Sequence, residues 1–204
     1  MIKLDENGAI LLPANVLEEL HWAPMDTLQY TQSRRRITLY KNEIAASQPL
    51  FIHCFHHFSI DYGNQELIIK NKKLKELLAY LCANNNSWIS KWSIAQQMWP
   101  DVSKSKAMDC LYKVIGSFCK TSILYSVIPV ETHRERIRVC LSAQELDYEM
   151  FELLAHDDDS EALFRALDLD RGGFLENECY EWSVQQQMKY EILYEYILKQ
   201  IKAL

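Results

Sequence analysis

The chain has 204 residues, of which 49 % are hydrophobic and 25 % are charged, a composition typical of a soluble globular protein with one or two domains. No segment approaches the roughly 18 consecutive apolar residues of a membrane span, and the N-terminal residues MIKLDENG lack the apolar run of a secretory signal. These features predict a cytoplasmic protein that does not bind membranes. Six cysteines, no two of them separated by only two to four residues, indicate reduced thiols and predict neither a zinc site nor a disulfide scaffold. No other metal site is predicted, because strand alternation sends His53 and His57 to one face and Cys54 and His56 to the other.

The formal net charge of −6 is distributed unevenly along the chain. Residues 1–49 carry a net charge of −1, residues 50–142 carry +5 and residues 143–204 carry −10. Electrostatic fields act over about 10 Å at physiological salt, so the charge of each segment is a better guide to its partner than the total. The central segment is therefore the candidate for contact with a polyanion, and the acidic last segment is expected to face protein.

The first 43 residues predict a strand pair, a short helix and a hairpin. Asn7-Gly8 favours a turn between two short strands, and Pro13 suits the first position of a helix over VLEEL. The stretch TLQYTQSRRRITLYK alternates as a half-buried hairpin does, with Arg34, Arg35 and Arg36 near its turn. A segment this short cannot close a core alone, so residues 1–45 are predicted to form an intertwined homodimer.

The residues Lys3-Leu4-Asp5, Gly8, Ile10-Leu11-Leu12-Pro13 and Asp26-Thr27-Leu28 resemble the swapped-hairpin domain of the AbrB/SpoVT family. That resemblance implies a dimeric domain that binds DNA through a basic face. The chain has Ala9, Asn15, Glu18 and Glu19 where basic residues are usual in that family, so dimerisation without DNA contact is an open alternative for this segment.

After Pro49, the sequence predicts paired strands around Tyr62-Gly63-Asn64 and then three helices. Ser90 is a suitable N-cap for the second helix, and Trp99-Pro100 marks its end. The first and third helices each carry a stripe of apolar residues at helical spacing. The stripe of the first helix is Leu74, Leu77, Leu78, Leu81 and Cys82, and that of the third is Ala107, Leu111, Val114, Ile115 and Phe118. A basic strand pair around HRERIRV follows. This order predicts a winged helix-turn-helix over residues 50–142.

The stretch from Leu67 to Leu141 resembles the OmpR-type winged helix of the SARP family of bacterial transcription regulators, through Trp99-Pro100-Asp101 and the apolar stripe that begins at Ala107. Residues 143–204 resemble a shortened bacterial transcriptional activator domain. That similarity rests on the motifs LDYEMF (146–151), Ala162-Leu163, Gly172-Gly173-Phe174-Leu175 and Glu181-Trp182. The expected fold class is thus α+β, with a swapped-hairpin β domain, a winged helix-turn-helix and a small C-terminal α-helical domain.

Three groups of residues are candidates for contact with DNA. On the predicted recognition helix, Lys104 and Lys106 would contact phosphates, while Tyr112, Lys113 and Ser117 would read base edges. In the wing, alternating arginines would contact phosphates. The candidates are Lys104, Lys106, Tyr112, Lys113, Ser117 and Lys120 in the helix, Arg134, Arg136 and Arg138 in the wing, and Arg34, Arg35 and Arg36 in the N-terminal hairpin. The alternatives are a solvated helix face, an edge strand protected by its charges and a charged turn tip.

Glycine-rich phosphate loops, nucleophile elbows and catalytic histidine–acid spacings are missing from the sequence, so the chain is not expected to be an enzyme and no cofactor is predicted. The sequence predicts a cytoplasmic bacterial transcription regulator that binds double-stranded DNA as a dimer and contacts the transcription machinery through its C-terminal helices. The alternative is a protein-interaction adaptor that keeps the regulator folds but has lost DNA binding. A small-molecule-sensing switch, which requires an apolar pocket in the last 60 residues, also stays open.

Overall fold

A computed structural model of the chain describes residues 49–203 apart from 64, 158 and 171, and before residue 49 it describes the backbone of four short strands. The chain divides into two compact units, Met1–Ser47 and Gln48–Leu204. The described residues contain seven α-helices and small antiparallel sheets, so the predicted α+β class is confirmed.

The first unit contains two antiparallel strand pairs. Strand β1 (Lys3–Leu4) pairs with β2 (Ile10–Leu11), and β3 (Leu28–Ser33) pairs with β4 (Arg36–Lys41). Both pairs lie where the turn and hairpin signals predicted them. The predicted helix over VLEEL, as well as Arg34 and Arg35, lies outside the described residues.

The second unit opens with a three-stranded antiparallel sheet of β5 (Leu50–His53), β6 (Ser59–Tyr62) and β7 (Gln65–Glu66), in that order. The predicted turn between β6 and β7 is present, and Gly63 adopts a φ of 66° there, a left-handed conformation that favours glycine. The first sheet leads directly into the helices of the winged-helix region.

The winged-helix region contains four helices and a second three-stranded sheet. Its helices are α1 (Lys72–Cys82), α2 (Lys91–Met98), α3 (Lys104–Lys120) and α4 (Ser122–Val127). Its strands are β8 (Ile89–Ser90), β9 (Val130–His133) and β10 (Arg136–Val139), with β10 in the centre of the sheet. The β9–β10 hairpin, residues 130–139, is called the wing below.

Capping and apolar periodicity explain why these helices form where they do. The Asn71 side chain accepts hydrogen bonds from the backbone N–H groups of Lys73 and Leu74, and the Ser90 hydroxyl accepts one from Ser93, as predicted for an N-cap. Helix α3 packs on α1 and α2. The predicted stripe of α1 is confirmed as core, and that of α3 is confirmed except at Ile115, which is half-buried. The buried members are Leu74, Leu77, Leu78, Leu81 and Cys82 of α1 and Ala107, Leu111, Val114 and Phe118 of α3.

The C-terminal part consists of three α-helices, α5 (Asp147–Ala155), α6 (Ser160–Leu169) and α7 (Val184–Ala203), with short 3-10 turns at Ala143–Glu145, Glu176–Glu178 and Glu181–Ser183. The apolar pattern of the sequence predicts a last helix from about Asn177 to Leu204, but the helix begins at Val184. Leu175 and Cys179 have positive φ angles of 49° and 53°, a left-handed backbone that an α-helix cannot contain.

The segment between β5 and β6 is joined to the C-terminal part by hydrogen bonds within the second unit. Asp147 Oδ2 accepts the N–H groups of Cys54 and Phe55 at 2.7 and 2.9 Å. The His56 N–H donates to the Gly173 carbonyl, also at 2.7 Å. Phe55 lies edge-on to the rings of Phe151, Phe174 and Tyr190, so one aromatic cluster is shared by both regions.

Among the helices of the described residues, none is both long enough and apolar enough to cross a membrane.

Candidate nucleic-acid interface

One face of α3 carries three exposed lysines at seven-residue intervals, Lys106, Lys113 and Lys120. Seven residues are close to two helical turns, so the three side chains follow one face over about 21 Å of the helix axis. The opposite face is the buried stripe that holds α3 on α1 and α2. We call Lys106, Lys113 and Lys120 the basic face.

The lysines of the basic face make no ion pair with any other residue that the structure describes. The exposed carboxylate of Asp109 lies four residues before Lys113, a spacing at which helical ion pairs form, yet the two groups are not within 4.0 Å of each other. These ammonium groups are therefore available for an external anion. Gly116 lies on the same side of α3, and a Cβ atom added there would meet nothing within 4 Å.

Tyr112 and Ser117, which are predicted to read base edges together with Lys113, lie beside the basic face. Tyr112 is 45 % exposed, and its hydroxyl donates to Glu135 Oε2 at 3.3 Å. Desolvation and the Glu135 carboxylate raise the pKa of Tyr112, which keeps its phenol a neutral donor at neutral pH. Lys91 Nζ lies 5.5 Å from the centroid of the Tyr112 ring. Ser117 is half-buried in the last turns of α3.

Lys104, at the first residue of α3, is exposed and packs against an aromatic ring. Its Nζ lies 4.9 Å from the centroid of the Trp92 ring in α2, a cation–π arrangement that fixes the direction of the side chain. The N-terminal turn of α3 thus adds a fourth positive charge to the helix that carries the basic face.

In the wing, the three predicted arginines have different environments. Arg134 lies at the turn with a φ of 52°, and Arg136 is exposed on β10. Neither pairs with a carboxylate of the described chain. Arg138 differs, because its Nε and Nη2 atoms donate to Glu131 Oε2 at 2.9 and 2.8 Å and its guanidinium carbon lies 4.5 Å from the Trp88 ring centroid. The wing therefore offers two unpaired guanidiniums, while the third is engaged within the sheet.

Contacts with Lys91 join the wing to the start of α2. The Lys91 N–H donates to the Glu135 carbonyl at 2.8 Å, and its Nζ donates to the Arg134 carbonyl, also at 2.8 Å. Together with the Tyr112–Glu135 hydrogen bond, these contacts hold the wing turn against α2 and α3. The basic face and the unpaired wing arginines thus belong to one connected surface.

Sequence reasoning did not single out Lys91, Trp88, Trp92 or Glu135. A lysine just after the N-cap and isolated tryptophans have no distinctive spacing, and Glu135 was read as part of a basic segment. The third candidate group is Arg34, Arg35 and Arg36 of the N-terminal hairpin. Arg36 lies in β4 opposite Ser33, and Arg34 and Arg35 are outside the described residues.

Comparison with known proteins supports the fold. Neither a protein-family model nor a curated protein sequence matches the chain. Among solved structures, it is similar to Mycobacterium tuberculosis EmbR in complex with a low-affinity phosphopeptide, with a TM-score of 0.57 and 14 % sequence identity. The match covers 77 % of this chain and 44 % of the EmbR chain. The chain therefore shares the fold of the part of EmbR that it matches.

Proposed function

We propose that the chain is a sequence-specific, DNA-binding bacterial transcription regulator that acts as a dimer in the cytoplasm. The observation that carries this proposal is the basic face of α3, whose lysines are exposed, free of carboxylate partners among the described residues and placed next to the wing. The EmbR fold supports a regulator role.

Helix α3 enters the major groove in this proposal. Lys106, Lys113 and Lys120, with Lys104 at the first turn, contact phosphates and fix the register of the helix on the duplex. Ser117 and Tyr112 lie at the side of that face, where hydroxyl groups reach base edges. The Tyr112 phenol must release Glu135 before it donates to a base, so its contribution depends on the wing turn.

The wing contacts the backbone or the minor groove through Arg134 and Arg136. Both guanidiniums lack carboxylate partners among the described residues, in contrast to Arg138, which contributes to the stability of the wing. Arginines are well suited to this task, since a guanidinium donates two parallel hydrogen bonds to one phosphate.

Dimerisation through residues 1–45 places two winged helices on paired half-sites, with Arg34, Arg35 and Arg36 as further candidates for phosphate contact. The C-terminal helices, which belong to the acidic segment, contact the transcription machinery in this proposal. Their charge disfavours DNA as the partner of that surface.

Binding of the full chain to a pool of random duplexes, measured by fluorescence anisotropy, tests the proposal. The double variant Lys106→Ala/Lys113→Ala should bind at least about ten-fold more weakly, because two phosphate contacts are lost. The matched control is Lys70→Ala/Lys72→Ala, which removes two exposed lysines located before or at the start of α1. Equal binding by the two double variants would exclude α3 as the DNA-reading element.

The second candidate is a protein-interaction adaptor, and two acidic side chains favour it. Asp109 lies between Lys106 and Lys113, and Glu135 lies at the wing turn, so the positive surface is interrupted by negative charge. An adaptor would bind no duplex even at low salt, and the same anisotropy measurement separates the two functions.

A further inference from the structure

The side chain of Lys91, the first residue of α2, lies between the wing turn and α3. Its Nζ atom donates to the Arg134 carbonyl at 2.8 Å and lies 5.5 Å from the centroid of the Tyr112 ring. The backbone N–H of Lys91 donates to the Glu135 carbonyl, also at 2.8 Å. Lys91 therefore contacts both residues of the wing turn as well as an aromatic residue of α3.

The hydrogen bond from the Tyr112 hydroxyl to Glu135 Oε2 closes these contacts into a ring of residues. The start of α2, the wing turn and α3 each contact the two other elements through this ring. A closed ring restrains the three elements more strongly than one contact does, because contacts with two neighbours must break before an element moves independently. The ring thus holds the wing turn at a fixed position beside α3.

The backbone of the wing turn depends on such support. Arg134 has a φ of 52°, a left-handed conformation that is unfavourable for a residue with a Cβ atom and that persists where surrounding contacts hold it. The two hydrogen bonds that Lys91 donates end on the carbonyls of Arg134 and Glu135, which are the two residues of this turn. Loss of the Lys91 ammonium should therefore let the turn relax.

We infer that Lys91 is a positioning residue, which holds Arg134 and Arg136 at the distance from the basic face that binding to one duplex requires. This inference rests on the proposed function. Lys91 is half-buried and its ammonium is engaged by the Arg134 carbonyl, so it acts through the wing and is not itself a phosphate contact. Arginines that are held in place before binding lose less conformational freedom when they contact DNA.

Two variants of Lys91 and one matched control isolate the role of its ammonium. Lys91→Met keeps the backbone N–H and most of the aliphatic stem but removes Nζ, whereas Lys91→Arg keeps a cationic donor. The control is Lys73→Met, because Lys73 Nζ also donates to a backbone carbonyl, that of Met98 at 3.0 Å, and lies 5.2 Å from the centroid of the Trp99 ring. Both of these partners of Lys73 lie outside the wing.

Amide hydrogen exchange in the full chain without DNA measures the stability of the wing turn. Lys91→Met should raise the exchange rates of amides in the wing by at least about three-fold, because the turn opens more often. Lys91→Arg and Lys73→Met should leave these rates unchanged. Wild-type exchange rates in the wing of Lys91→Met would overturn the inference.

Combination with Arg136→Ala tests the consequence for DNA binding. Lys91→Met should reduce the magnitude of the salt slope by about 2, since Arg134 and Arg136 both lose their phosphate contacts, whereas a direct contact by Lys91 would account for only about 1. Arg136→Ala should then have no further effect in the Lys91→Met background, and Lys91→Arg should bind as wild type does. Additive effects of Lys91→Met and Arg136→Ala, or equal losses in Lys91→Met and Lys91→Arg, would overturn the inference.

The same titrations distinguish failure of this inference from failure of the proposed function. If the wild type binds no duplex, the proposed function is wrong, and the role of Lys91 in DNA binding is wrong with it. If the wild type binds and Lys106→Ala/Lys113→Ala weakens binding, but Lys91→Met binds as Lys73→Met does, only the inference about Lys91 is wrong.

Discussion

The Tyr112 hydroxyl of α3 donates a hydrogen bond to the Glu135 carboxylate at the turn of the wing, over 3.3 Å. This contact joins the two elements that are proposed to bind DNA, and it places a negative charge within the positive surface. Glu135 therefore has opposite effects, since it positions Tyr112 and the wing turn while it repels phosphates.

Removal of the Glu135 charge should strengthen DNA binding. In Glu135→Gln, the amide oxygen still accepts the Tyr112 hydrogen bond but no longer repels the backbone, and we expect about three-fold to ten-fold tighter binding at low salt. Anisotropy titrations of wild type and variant measure this change. Glu66→Gln, which neutralises an exposed carboxylate in β7, is the control and should leave affinity unchanged. Weaker binding by Glu135→Gln would show that the carboxylate itself is needed.

Gly116→Ala should raise the free energy of unfolding and at the same time weaken DNA binding. The added Cβ meets no atom within 4 Å, and alanine is favoured over glycine inside a helix, so the free energy of unfolding should rise by about 1 kcal/mol. The same methyl group would lie on the side of α3 that approaches DNA, so affinity should fall. Thermal unfolding and anisotropy on one preparation measure both quantities. A stabilised variant with unchanged affinity would mean that DNA does not approach this part of α3.

The two arginines of β10 should respond differently to substitution. A plot of the logarithm of the binding constant against the logarithm of salt concentration has a negative slope, and Arg136→Ala should reduce the magnitude of that slope by about 1. Its effect on the free energy of unfolding should be small. Arg138→Ala removes the contacts with Glu131 and Trp88, and it should lower the free energy of unfolding by about 1 kcal/mol. Chemical denaturation and salt titration of both variants distinguish these roles. The assignment fails if Arg136→Ala leaves the salt slope unchanged.

Asp147 should make folding stability depend on pH. Burial raises the pKa of Asp147 to about 6, although its backbone hydrogen bonds with Phe55 and Cys54 oppose this change. Between about pH 4 and pH 6, the folded protein keeps a proton that the unfolded chain releases, so this group contributes stability at low pH that is lost as the pH rises. The loss amounts to about 3 kcal/mol.

The Asp147→Asn variant isolates that contribution. Its amide oxygen can still accept the N–H groups of Cys54 and Phe55, but the side chain does not titrate. Its NH₂ group cannot accept the Tyr148 N–H that Asp147 Oδ1 accepts at 2.7 Å, a loss that is the same at every pH. Denaturation of wild type and variant from pH 4 to pH 7 should show that the stability of Asp147→Asn relative to wild type increases with pH. A constant difference across this range would contradict the raised pKa of Asp147.

The elements that sequence periodicity predicted best are those with a clear buried side. The apolar stripes of α1 and α3 identified their core faces, and Ser90 was correctly predicted as an N-cap, because both signals depend on residues close in sequence. The predicted start of α7 was wrong, because the left-handed backbone at Cys179 prevents the helix from extending back to Asn177. That backbone conformation depends on tertiary structure, which no local sequence pattern encodes.

The candidate site was predictable only in part for a related reason. Alternation placed Arg136 and Arg138 on one side of a strand, but the pairing of Arg138 with Glu131 follows from their direct opposition across β9 and β10. That register is set by the wing turn at Arg134, whose positive φ the sequence did not reveal. The exposure of Val184, Met188, Ile192 and Tyr196 on α7 could not be predicted either, because the sequence shows only that this helix is apolar around most of its circumference.

The salt dependence of binding by the full chain to duplex DNA tests the central claim most directly. Wild-type protein should bind duplexes at low ionic strength, with an affinity that falls linearly on a double-logarithmic plot against salt, and Lys106→Ala/Lys113→Ala should reduce the magnitude of the slope by about 2. Lack of binding to any duplex at low salt, or an unchanged slope in the double variant, would contradict the proposal that α3 carries the DNA-binding surface.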